Sequence, residues 1–93
     1  KSAGVWFVAK YGGECLDRID QLNYDNDFKR AYIAKIYLDE RCDSAIRGTN
    51  TRVYSLLKII NAGRINQAML YVLDSRVEDE YKQYARAFLA ATE

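Results

Sequence analysis

From Asp27 to Arg47 the chain runs without glycine or proline, and its apolar positions point two ways. On a helical wheel Ala31, Ala34, Leu38, Cys42 and Ala45 share one face, while Tyr32, Ile33, Ile36 and Tyr37 lie on the other. A helix apolar on one side rests on a core, and one apolar on two sides is held inside it. The pattern therefore predicts a central helix near residues 27–47, with other helices packed against both faces.

The flanking segments also read as helices. Ala3 to Tyr11 is mostly apolar and ends in Gly12-Gly13. Val5-Trp6-Phe7-Val8 has strand propensity, but no other segment alternates with period two to pair with it. A helix broken or kinked at the glycine pair is expected, with Trp6 as a core anchor. Cys15, Ile19 and Leu22 continue a helical face, and the polar stretch Asn23 to Asp27 reads as a turn whose Asx side chains cap the next helix. Gly48 is placed to end the central helix, with Thr49 or Asn50 starting another. Val53, Leu56, Leu57 and Ile60 mark that helix, and Asn61-Ala62-Gly63 breaks it. Ile65, Ala68, Met69 and Val72 mark the next, with Leu70, Tyr71 and Leu73 covering its other sides, so this segment is expected to be well buried. Ser75-Arg76-Val77-Glu78 fits a capping box ahead of the stripe Val77, Tyr81, Tyr84, Phe88 and Ala91. The expected fold is all-α: a small single-domain bundle of four to five helices over residues 1–93.

Composition agrees with this. Apolar residues make up 49% of the 93 and charged residues 29%, the balance of a folded globular domain. Proline is absent and only five glycines are present, which disfavours a turn-rich β fold. The longest apolar run, Ala68 to Leu73, is six residues, far short of a bilayer span, so no membrane insertion is expected. Eight tyrosines suit half-buried and interface positions.

The two cysteines, Cys15 and Cys42, are a candidate disulfide that would staple a small core by about 3–4 kcal/mol through loop closure. Helix geometry opposes it. In a straight hairpin turning near Asp25, Cys15 lies level with about residue 35, an offset of roughly 10 Å from Cys42, against the ~7 Å between Cα atoms that a disulfide allows. Crossed helices or a long irregular turn would be needed. A bonded pair, in a chain that opens on Lys1 rather than Met, points to an oxidising compartment, periplasmic or secreted; free thiols point to the cytoplasm.

No catalytic constellation is visible. The chain has no histidine, which removes Ser-His and Cys-His pairs. Asp25-Asn26-Asp27 begins like a calcium loop, but Lys29 and Arg30 occupy the positions where such a loop needs an oxygen ligand and glycine. Lys35, Asp39, Asp43 and Arg47, spaced four apart, read as a charge ladder along a helix rather than an acid–base pair. Neither an enzyme nor a cofactor or metal site is expected. One charge pattern stands out. No acidic residue occurs between Asp43 and Asp74, while Arg47, Arg52, Lys58 and Arg64 give that interval a net +4 and make it a candidate basic patch.

Two functions fit. The first is a non-enzymatic protein-binding module, most concretely a small inhibitor or immunity-type protein acting on one partner protein. The alternative, ranked second, is a helix-turn-helix nucleic-acid-binding protein using residues 51–73, with Arg64 and Asn66 opening the recognition helix and Arg47, Arg52 and Lys58 on phosphates. The apolar character of that recognition helix counts against it.

Overall fold

The glycine pair does not break the first helix. The computed structural model describes residues 4–92 and contains six helices among them: α1 (Val5–Asp17), α2 (Ile19–Tyr24), α3 (Asn26–Glu40), α4 (Ile46–Asn61), α5 (Ile65–Asp74) and α6 (Asp79–Ala91). The expected start of the first helix at Ala3 lies outside the described residues. α1 runs straight through Gly12 and Gly13 because these are positions of close approach. A Cβ on Gly12 would stand 2.4 Å from the Met69 methyl of α5, and one on Gly13 would stand 3.3 Å from the Phe88 ring of α6. The missing side chains let α5 and α6 close on α1.

The all-α expectation holds, with six helices rather than four to five, and with a different centre. α1 packs against α2, α4, α5 and α6, whereas the backbone of α3 approaches only α2 and α4. α1 buries Phe7, Val8, Ala9, Tyr11, Gly12 and Cys15. α3 buries only Tyr32, Ile33 and Ile36, and on its other face Leu38 is 62% exposed. The face read as a second core surface is made largely of alanine. Alanine suits a solvent-facing helix as well as a core one, because its helix preference does not depend on burial. Length was overestimated for a local reason. α3 ends at Glu40, where Arg41 takes a left-handed backbone (φ 52°) and donates its N–H to the Tyr37 carbonyl at 3.1 Å.

Other boundaries follow from capping. The Asp25 carboxylate accepts from the Phe28 N–H at 3.0 Å and starts α3, an Asx cap of the expected kind. Gly48, Thr49 and Asn50 lie inside the first turns of α4 rather than before it. α4 ends in a complete Schellman motif: Arg64 N–H donates to Ile59 O and Gly63 N–H to Ile60 O, each at 3.0 Å, with Gly63 at φ 73°. Ser75 serves the end of α5 instead of starting α6. Its hydroxyl donates to Val72 O at 2.7 Å, and α6 begins only at Asp79. The buried line of α6 is rotated accordingly, with Ala85 fully buried and Tyr81, Phe88 and Leu89 packed against the core. Among the described residues no helix is long and apolar enough to cross a membrane.

Candidate functional site

A groove of about 820 Å³ runs along α4, bounded by the first turn of α1 and by α5. It exists because small residues meet there: Gly4, Ser55 and Ala68 do not fill the space between the three helices. Its floor is apolar, from Val5, Val8, Ile59 and Val72. Its rims are Thr51, Tyr54 and Lys58 on α4 and Tyr71 on α5. None of the residues lining it is acidic. Tyr71 is 65% exposed and the neighbouring Leu70 56% exposed, so α5 is not buried on all sides as its composition suggests. Adjacent exposed large side chains beside an apolar depression are the usual surface of a binding region. The sequence signal for it was present: α5 carries more large apolar residues than one buried stripe of ten positions can take up.

The four residues of the basic patch are not equivalent. Arg47 and Lys58 are both exposed and share one face of α4 with Thr51 and Tyr54, at i, i+4, i+7 and i+11. Lys29 of α3 reaches the same face, its ammonium 4.4 Å from the centre of the Tyr54 ring, a cation–π contact. Arg52 points elsewhere. Its Nε lies 3.3 Å from Asp43 Oδ2, and its guanidinium stacks 5.5 Å from the Trp6 ring centre. Arg64 is exposed beyond the Schellman turn at the N-cap of α5 and does not line the groove.

Asp43 is a hub of the α3–α4 connection. Besides Arg52 it accepts from the Thr49 hydroxyl at 2.8 Å, and Thr49 is buried. Burial raises the Asp43 carboxyl, but the hydrogen bonds from Thr49 and Arg52 and the Arg52 charge outweigh this and hold it below its ordinary 3.8. Of the expected charge ladder, the Lys35–Asp39 pair forms at 3.2 Å; Asp43 lies past the end of α3 and turns to Arg52 instead.

The disulfide does not form: both cysteines are free, Cys15 buried and Cys42 exposed. Cys15 sits opposite Tyr32, with Sγ 3.4 Å from the Tyr32 hydroxyl. Tyr32 is ten residues before Cys42, and the eight helical steps from Tyr32 to Glu40 alone carry the chain about 12 Å away. The phenol donates in turn to Glu14 at 2.7 Å, so the thiol is the donor to Tyr32. Burial pushes the Cys15 thiol up to about 11, which keeps it protonated and unreactive. A second bridge from α1 to α3 joins Tyr11 and Lys10 to Glu40, with Lys10 Nζ at 2.7 Å and the Tyr11 hydroxyl donating to the same carboxylate. These long side chains span the gap that the two helix backbones leave between them. In native protein, a thiol-specific reagent should label Cys42 at once and Cys15 only after denaturant is added. Intact mass should be the same with and without reductant. A loss of two mass units in oxidised protein, or fast double labelling, would contradict this arrangement.

Among the described residues every buried side-chain nitrogen and oxygen has a hydrogen-bond partner. The interior polar groups thus serve to tie helices together. Comparison with profiles of protein families, with curated proteins and with solved structures finds no match.

Proposed function

We propose that this chain is a non-enzymatic protein-binding module, concretely an inhibitor or immunity-type protein that acts by occupying one partner protein. The observation that carries this reading is the apolar groove along α4, with Tyr54 and Tyr71 exposed on its rims. Tyrosine at a rim contributes large contact area at low entropic cost, and a few such residues supply most of the energy of a protein interface. The two half-buried carboxylates among the described residues are otherwise engaged. Glu40 and Asp43 are held in ion pairs, Cys15 is kept protonated, and the chain has no histidine to act as a base. The basic residues favour the nucleic-acid alternative less: Arg52 is committed to Asp43, and the exposed positions of α5, after Asn66 and Gln67 at its start, are Leu70, Tyr71 and Asp74, which over most of the helix are a poor match to base edges.

The test compares the native chain with Tyr71→Arg, a change at an exposed position that leaves the core intact. A protein retained by the immobilised native chain is identified, purified and titrated against both forms. Tyr71→Arg should raise the Kd at least about 30-fold, the scale of a central interface tyrosine. Equal affinities would place the interface elsewhere and defeat this reading.

A further inference from the structure

We infer that the occupant of this groove is an amphipathic helix of the partner, apolar on the face laid between α4 and α5 and acidic along the edge turned to Arg47 and Lys58. This rests on the protein-binding reading above.

The shape of the site selects a helix. No strand edge is present among the described residues, so an extended peptide has no backbone ladder to join. The groove follows α4 from Asn50 to Ile59, a length of about 14 Å, or about two and a half turns of a second helix laid alongside. Its apolar floor takes side chains at i, i+3 or i+4, and i+7, the spacing by which a helix presents one face.

The charge of the site selects acidic residues on that helix. Arg47 and Lys58 lie on the same exposed face of α4, eleven positions apart, which is about 16 Å along the axis. Neither is in an ion pair among the described residues. Lys29 over Tyr54 adds a third positive charge between them, and α4 itself carries no acidic residue to offset Arg47 and Lys58. Carboxylates about eleven residues apart on the incoming helix share one face of it and match this separation. A second copy of the chain is a poor occupant. Its acidic stretch Glu78–Glu80 leads into α6, whose apolar face is already laid on α1 and α5.

The experiment is selection from a displayed library of random peptides of about 16 residues, long enough for about four helical turns, on the immobilised chain. In parallel the same library is selected on the Arg47→Glu/Lys58→Glu variant and on Tyr71→Arg. Thermal unfolding followed by circular dichroism checks that each variant, altered only at exposed positions, remains folded. The expected pool has apolar residues at helical spacing and is enriched in Asp and Glu over Lys and Arg. Its members become helical on binding. They lose about tenfold in affinity on the charge-reversed variant, the combined effect of two lost ion pairs and the repulsion that replaces them. Apolar peptides without acidic bias, lost on Tyr71→Arg but not on charge reversal, overturn this inference and leave the protein-binding reading intact. A pool without dependence on Tyr71 overturns both. Self-association of the free chain that Tyr71→Arg abolishes, or duplex DNA binding that charge reversal abolishes, likewise overturns the inference by giving the groove to another occupant.

Discussion

Replacing Phe7 by alanine should cost about 3–5 kcal/mol of stability, the range for removing a large aromatic from a packed core. Phe7 has no exposed surface. Its ring lies 5.5 Å from that of Trp6, edge-on, and 4.9 Å from that of Tyr11. It stands on α1, the helix against which four others pack, so no single neighbour can move in to close the void. A domain of this length has a total stability of about 5–14 kcal/mol. The variant is therefore expected to be close to unfolding, with Tm lowered by roughly 15–30 °C. Leu38→Ala is the informative partner experiment. If α3 were the central helix, Leu38 would be a core residue and its loss would cost about 2–5 kcal/mol. Because Leu38 projects into solvent, the expected change is within about 0.5 kcal/mol. Urea unfolding of both variants decides between the two architectures, and equal destabilisation would refute the one described.

The second large effect is expected at Asp43. Asp43→Ala should cost about 2–3 kcal/mol, because it leaves the buried Thr49 hydroxyl and the half-buried Arg52 cation without this acceptor. The same contact explains Gly48. A Cβ there would lie 2.7 Å from Asp43 Cγ, so Gly48→Ala displaces the carboxylate and should produce a similar loss in spite of alanine's better helix propensity. The effect has a pH signature. The Asp43 carboxyl is held below 3.8 in the folded chain. Its stabilisation is therefore complete above pH 3.8 and is lost as pH falls below that value through the folded pKa. Glu40 behaves in the same sense from 4.5 downward: burial raises it, but the hydrogen bonds from Lys10 and Tyr11 prevail and hold it lower. Native protein should lose stability with acid in this region. Asp43→Ala should show a shallower decline, since only the Glu40 part remains. Parallel curves for the two proteins between neutral and acid pH would remove Asp43 from this role.

The sequence pattern identified the helical faces better than the helix that lies at the centre. The stripe Val53, Leu56, Leu57 and Ile60 is buried as its spacing implies, as are Ile65, Met69 and Val72. Periodicity reports which side of a helix is apolar, and α4 has one apolar side. It failed for α3, where alanines on the outer face imitate a second core surface. At Gly12 and Gly13 the local reading of glycine as a breaker lost to a tertiary fact, the approach of Met69 and Phe88. The candidate basic patch was legible as a run without acids. Its division into Arg52, spent on Asp43, and Lys58, at the groove with Arg47 exposed on the same face of α4, was not, because it depends on where the α3–α4 connection carries Asp43.

What the sequence by itself determined is the all-α class, the apolar face of most helices, an Asx cap within residues 23–27 and the turn at Gly63. Each of these follows from side-chain spacing or backbone preference within a few residues. The tertiary structure alone decided that α1 is the centre, that Cys15 faces Tyr32 and not Cys42, and that Gly4, Ser55 and Ala68 leave a groove under Tyr54 and Tyr71. These depend on residues from distant segments meeting, and on how far apart their backbones come to rest. Local pattern carries no information about that distance, and here the distance fixes both the fate of the thiols and the place of the groove.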